Sequence, residues 1–417
     1  MRTCVSLAFL AVVVIVLTGC KPKCPLVEPI PDGKDYERPL ADGKYALRKL
    51  PDDQVPDFTI ALTDRAGLKQ AAMRSLSYLA KPSSRSFFPY ATAPGESISH
   101  DIAVASLNEF IAMLDSPDGA ARMNQRLRQK FDVYMSVGCD DAGAVLFTGY
   151  YTPIFDASPV RTDRFTHPIY RQPDDLVKGF DGEVLGQKCA DGAVRRYPER
   201  KQIEQSNMLS GLELYWLGDP FEVYIAHVQG SAILRMPDGK LITVGYSANN
   251  GHEYQSVGKA MVADGKLPKD KISLQGMIDY FRSHPQEVQS YTWKNPRFVF
   301  FTAQVDDDSP RGSLNEPVTT MRTIATDKAI FPRAGLTFIA APLPRRVNGQ
   351  ITVSDYSGFA FDQDTGGAIR APGRCDVYMG VGQEASALAG RTYTEGRLYY
   401  LFLKPNIRLQ GQVTVDR

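Results

Sequence analysis

Beyond residue 296 the chain reads as a succession of short apolar stretches separated by turn formers: RFVFFTAQV, VTTMRTIAT, LTFIAAPL, QITVSD, GFAFD, DVYMGVG and RLYYLFL. Each has the length of a strand, and β-branched and aromatic residues dominate them. So many short strands leave unpaired edges unless the sheet closes on itself. This part of the chain is therefore constrained to a closed or nearly closed β-barrel.

The preceding residues alternate between two textures. Apolar residues at spacings of three and four predict helices over 66–80, 97–114 and 120–131, and over 273–284, where Pro285 stops the pattern. AVLFTGYYTPIF (144–155) reads as strand. FEVYIAHVQGSAILRM and KLITVGYS (221–247) read as a hairpin turning at Pro237-Asp238-Gly239. The expected fold class is mainly β with helices, with a second, β-rich unit inserted into the first. The expected boundaries are 59–152 with 295–417 for the barrel and its helices, and 153–294 for the insertion.

The N-terminus carries an address. Arg2 precedes an apolar run from Val5 to Thr18, shorter than the roughly 20 residues that span a bilayer, so it reads as a signal-peptide core in residues 1–19. It ends in Leu17-Thr18-Gly19-Cys20, which resembles the lipobox of bacterial lipoproteins. That resemblance implies cleavage before Cys20 and acylation of that residue, with lipid chains as the membrane anchor. Lys21, rather than Asp, follows; in such lipoproteins this implies the outer membrane, facing the periplasm. Residues 20–58 form the acylated Cys and a Pro- and Gly-rich tether. Export places Cys24, Cys139, Cys189 and Cys375 in an oxidising compartment where disulfides are possible. With a formal net charge of +1, the chain has no electrostatic footprint for nucleic acid. Its five histidines show no metal-ligand spacing and read as structural or surface residues, and no CxxC or HxxxH is present.

Residues 355–376 read DYSGFAFDQDTGGAIRAPGRCD, with four aspartates among glycines and apolar residues. Several chemistries fit. The aspartates suit turns, whose backbone N–H groups they accept. Three carboxylates suit a hard cation, although the spacing is not that of an EF-hand loop. Asp364-Thr365-Gly366 is the triplet of aspartic proteases, here in one copy, with Gln363 where an apolar residue is expected. A carboxyl beside apolar walls and other carboxylates holds its proton at neutral pH, as an acid that cleaves a glycoside must. Gly366-Gly367 permits close approach of a ligand.

That segment resembles the three-aspartate domain of the membrane-bound lytic murein transglycosylase A family. TGYYTP (148–153), RFTHPIYRQP (164–173), VQGSA (228–232), VGYSANNGHEYQSVGK (244–259), NPRFVFF (295–301) and SLNEPVTTMRTIATD (313–327) resemble the family's blocks in the same order. The resemblance implies a double-psi β-barrel, an inserted β-rich domain, and a groove between them that holds a glycan strand of peptidoglycan. It implies cleavage of the β-1,4 bond between N-acetylmuramic acid and N-acetylglucosamine with formation of a 1,6-anhydro sugar, without cofactor or metal. Asp355 matches the family's acid, which then serves as base; Asp364 and Asp376 match supporting aspartates. Tyr150, Tyr151, Tyr246 and Tyr254 are candidate sugar-stacking faces, with Gln229 and Ser231 as hydrogen-bonding partners and Gly366 and Gly367 lining the approach. Ala232 and Ala371 stand where many relatives carry glycine. Implied partners are glycan strands, the outer membrane through the lipid, and other wall-remodelling proteins. A lipoprotein that binds peptidoglycan without cutting it is the competing expectation.

Overall fold

The computed structural model describes residues 33–179, 183–268, 273–304, 309–405 and 407. The apolar run and Cys20 lie outside the described residues, as do Cys4 and Cys24. Among the described residues no helix is long and apolar enough to cross a membrane, and Cys139, Cys189 and Cys375 are all free thiols.

Six strands close into a barrel. The strand Val145–Thr152 runs parallel to Arg374–Val381 on one side and antiparallel to Tyr393–Leu403 on the other. The circuit continues through Leu336–Val347, Gln350–Asp364 and Thr323–Ala325 back to Arg374–Val381. A second parallel pair joins Thr323–Ala325 to Gln350–Asp364, and this mixed closure forms the double-psi barrel that the resemblance implied. The core is aromatic: Phe338, Phe359, Phe361 and Phe147 are buried. The helices Leu68–Ala80 and His100–Leu114 cover one side of the barrel. Phe110 from the second sets its ring 5.1 Å from Phe359, while Phe58 lies edge-on to Phe338 at 4.9 Å. The Ser99 side chain caps the second helix by accepting the Ile102 N–H at 3.1 Å.

The inserted unit is built on a six-stranded sheet, in the order Val299–Gln304, Leu241–Asn249, Ser231–Arg235, Ile154–Ser158, Glu213–Leu217 and His167–Tyr170. It has its own core around Phe221, Tyr224, Phe281 and Phe301. Two expectations change here. The strand Val299–Gln304 was expected in the barrel but closes this second sheet by pairing with Leu241–Asn249. Residues 221–229, expected as strand, belong to the helix Pro220–Gln229. Asp219 caps that helix by accepting the Phe221 N–H at 2.7 Å, Pro220 opens it, and Gly230 ends it. The hairpin that follows, Ser231–Arg235 with Leu241–Asn249, forms as expected.

Asp362 answers part of the question raised by the aspartate-rich segment. It is fully buried, and it accepts hydrogen bonds from the Thr326 and Tyr400 hydroxyls at 2.7 Å each and from the Lys328 ammonium. Lys328 is nearly as buried; desolvation pushes its pKa down, and Asp362 opposes the fall. Removing one member of such a pair leaves the other as an uncompensated charge in the core. Lys328→Met is therefore expected to cost about 3–5 kcal/mol of folding stability, measured by urea unfolding at neutral pH.

Candidate active site

The register of the barrel sets four residues in one row. Thr148 pairs with Asp376, Asp376 with Ala325, and Ala325 with Asp364. Residues in register on neighbouring strands share a face. All four line a cavity of about 370 Å³. The two aspartates stand two strands apart, which places their Cα atoms roughly 10 Å from each other, with only the methyl of Ala325 between them.

The pairing of Thr323–Ala325 with Gln350–Asp364 shifts at this point: Ile324 opposes Asp362, but Ala325 opposes Asp364. Gln363 is the extra residue of a β-bulge. Successive residues Ile324 and Ala325 face opposite ways, so the bulge sends Asp362 into the core and Asp364 to the cavity. Gln363 is fully buried and satisfied: its amide donates to Ala71 O at 2.7 Å and Ser75 Oγ at 2.9 Å, and its oxygen accepts from Thr323 Oγ1 at 2.7 Å.

The two cavity aspartates are held differently. Both oxygens of Asp364 are occupied. Oδ1 accepts the backbone N–H groups of Ser313 and Thr365 at 2.8 Å each, and Oδ2 accepts the Tyr150 hydroxyl at 2.9 Å. Gly312 permits the first contact, since a Cβ there would lie 2.8 Å from Gln363 O. Burial holds the Asp364 carboxyl above the usual aspartate range, and these donors together with Lys328 oppose the rise only in part. Asp376 accepts one hydrogen bond, from the Thr148 hydroxyl to Oδ1; its second oxygen has no partner among the described residues. Burial raises Asp376 as well. Arg374 and Thr148 oppose the rise, and the charge of Asp364 adds to it.

The expected site residues divide as follows. Tyr150, Gln229, Ser231, Tyr246, Tyr254, Gly366 and Gly367 all line the cavity with Asp364 and Asp376. Tyr151 does not: it is buried in the barrel core, and its N–H donates to Gln229 Oε1 at 3.3 Å. Asp355, expected as the acid, is also elsewhere. It sits at an exposed position of the strand Gln350–Asp364, opposite Pro342. There the hairpin with Leu336–Val347 has run past the last pairing with Tyr393–Leu403, which ends at Ala340. Asp355 therefore lies on an arm projecting beyond the barrel, and it is not among the residues lining the cavity.

Sequence reasoning passed over Thr148, Ser313, Arg297, Arg374 and Asp327. Asp327 accepts the Ala371 N–H at 3.0 Å and the Ala329 N–H at 3.1 Å, clamping the end of the loop that carries Gly366 and Gly367. Ala371 takes a left-handed backbone, φ 67°, a region where glycine goes without cost. Neither Ala371 nor Ala232 lines the cavity. Among the described residues no three His, Cys, Asp or Glu side chains converge as a metal-ligand set.

The chain is similar to known proteins in sequence and in fold. Residues 146–302 match the MltA specific insert domain, and residues 322–402 match the 3D domain. The chain is 30% identical over 277 residues to membrane-bound lytic murein transglycosylase A of Escherichia coli (strain K12), covering 66% of this chain and 70% of that one. The chain belongs to the membrane-bound lytic murein transglycosylase A family. Two solved structures of the family align over most of its length. The membrane-bound lytic murein transglycosylase from Agrobacterium tumefaciens is 26% identical with a TM-score of 0.71, covering 86% of this chain and 98% of that one. MltA from E. coli with bound chitohexaose is 26% identical with a TM-score of 0.62, covering 90% and 97%.

In this member of the family the clamp at Asp327 orders the wall of the cavity. Asp327→Ala leaves two backbone N–H groups without their acceptor, at a cost of about 1–3 kcal/mol. Thermal unfolding is expected to show that loss, and amide exchange at Ala371 is expected to accelerate.

Proposed function

We propose that the cavity cleaves the β-1,4 bond between N-acetylmuramic acid and N-acetylglucosamine in peptidoglycan without water, and that Asp376 is its acid and base. The observation that carries this reading is the unequal treatment of the two aspartates. Asp364 is surrounded by donors that favour its charged form, and its own charge favours a proton on Asp376. Asp376 keeps one oxygen free on the cavity side. That oxygen delivers its proton to the glycosidic oxygen as the bond to C1 breaks. The carboxylate so formed takes the proton of the muramic C6 hydroxyl as that oxygen closes onto C1. The nucleophile belongs to the substrate, so its proximity is built in. A hydrolase needs a second carboxylate free to act as base or nucleophile; Asp364, with both oxygens bonded to the protein, is not presented for that role.

The rest of the cavity suits a glycan. Tyr246 and Tyr254 offer aromatic faces on the inserted side, and the Tyr150 ring packs 5.2 Å from Tyr378 beside the acid. Gln229 and Ser231 supply polar edges. The groove between the barrel and the inserted unit is the proposed substrate path, and the proposed insertion runs from residue 153 through the strand Val299–Gln304. Leu17-Thr18-Gly19-Cys20 supports a lipid anchor at Cys20, and the E. coli relative is named membrane-bound. The outer membrane, with the enzyme facing the periplasm among other wall-remodelling proteins, is the proposed location.

Digestion of purified sacculi followed by mass spectrometry tests the reaction. Products one water lighter than the reducing sugars are expected; reducing ends would reject the mechanism. Asp376→Asn is expected to lower the rate by about 10²–10⁴-fold, while Asp355→Asn leaves it within twofold. Full activity in Asp376→Asn would move the acid elsewhere.

The raised pKa also links Asp376 to stability. Folding favours its protonated form, so its contribution is most favourable below the ordinary aspartate range and is lost as pH rises through the raised folded value. Asparagine escapes that loss. Asp376→Asn is expected to unfold at higher temperature than the wild type at about pH 8, with the difference closing toward about pH 3.

A further inference from the structure

Arginines stand on both sides of the cavity, and most of them are engaged. Arg200 is fully buried and bonds Asn295 O, Arg297 O, His227 Nδ1 and Glu204. Arg370 faces Asp327 at 3.7 Å, and Arg374 faces Glu37 at 3.6 Å. Arg297 differs. It is half-buried in the wall contributed by the inserted unit. Its one hydrogen bond as a donor from the side chain, among the described residues, runs from Nη1 to His252 O at 3.1 Å, and no described carboxylate pairs with it. Burial disfavours its charge; Tyr246 opposes that effect and Arg370 adds to it. It is also packed in place: a Cβ on Gly367 would lie 3.4 Å from its Nε and 3.3 Å from the Cβ of Tyr254.

A guanidinium has five N–H donors in a planar fork shaped for a carboxylate. Holding one in a partly desolvated wall without an anion is unfavourable. The wall is thus complementary to an occupant that brings negative charge. We propose that Arg297 receives a carboxylate carried by the muramoyl residues of the strand, so that the cavity selects peptidoglycan over neutral glycans of the same backbone. This rests on reading the cavity as a glycan cleft. Two sources supply that carboxylate: the stem peptide on the lactyl group, or the lactyl group itself where the peptide has been removed.

The binding test uses Asp376→Asn, so that strands are held and not cut. Its affinity is measured for neutral chitohexaose, for denuded glycan strands with free lactyl carboxylates, and for peptide-bearing strands. Adding Arg297→Gln is expected to weaken carboxylate-bearing strands about tenfold and chitohexaose less than twofold, with a shallower salt dependence for the former. Arg297→Lys, which keeps the charge, is expected to restore most of the discrimination. Loss confined to peptide-bearing strands assigns the carboxylate to the peptide; loss on denuded strands as well assigns it to the lactyl group. Equal weakening of all three ligands, or none, overturns the proposal. Sacculus digestion by the wild type reports separately on cleavage: charge-selective binding without digestion would keep this subsite and overturn the cleavage reading.

Discussion

The site depends on one extra residue. In an unbulged strand Asp362 and Asp364 would share a face, because side chains alternate with a period of two. Gln363 breaks the register against Ile324 and Ala325 and turns the two carboxylates to opposite sides of the barrel wall. A polar residue at such a buried position is stable only if its hydrogen bonds are made, and the helix Leu68–Ala80 and Thr323 make them. The N-terminal helix is thereby tied to the aspartates of the cavity, although none of its residues lines that cavity.

The bulge also orders the charges. Lys328 pairs with the buried Asp362, and its charge also favours the ionised form of Asp364. Asp364, fixed by backbone donors, disfavours ionisation of Asp376. Burial and the charge of Asp364 thus act in the same direction on the Asp376 carboxyl. A single aspartate in the same apolar wall would be raised by burial alone. The added charge supplies a second cause whose position is set by main-chain hydrogen bonds rather than by a mobile side chain. Such buried networks are costly if any partner is missing, and Thr326, Tyr400 and Lys328 are the partners that satisfy Asp362.

What the sequence made legible follows from which interactions are local. The barrel strands, the helices at 68–80, 100–114, 120–130 and 274–283, and the hairpin after Ser231 are written in short-range periodicity and turn chemistry. The helix Pro220–Gln229 was hidden because it is buried on most sides, so its apolar residues show little helical spacing; Asp219-Pro220 and Gly230 were the available signals. Asp355 was assigned from the resemblance, by matching aspartates along one segment, and not from a structural signal. QITVSD and GFAFD read as two short strands, but they are one strand from Gln350 to Asp364. No local signal states that this strand outruns its neighbour on the barrel. Thr148 and Asp376 meet across the barrel closure, and Asp327 reaches Ala371 from a different strand connection. Arg297 read only as part of an apolar block. Pairings of this range are fixed by closure and register, and no spacing within one segment encodes them.

Closure also explains how two separately folded units hold one cavity to the precision that proton transfer requires. The barrel strand Val145–Thr152 passes into the inserted sheet at Ile154–Ser158 with Pro153 alone between them. Pro153 O accepts the Ile233 N–H at 2.8 Å, so the junction itself is part of the inserted sheet's bonding. On the barrel side Thr152 meets the Tyr378 hydroxyl at 3.0 Å, and Tyr378 is two residues beyond Asp376 on the same strand. The wall that carries Asp376 and the wall that carries Tyr246, Tyr254 and Arg297 are therefore joined at this crossing by one continuous segment, without a linker. Displacements near 1 Å cost orders of magnitude in such reactions, and sites built on strands are held more tightly than sites on loops. An insertion at this point of the barrel gains a second wall without giving up the register that positions the first.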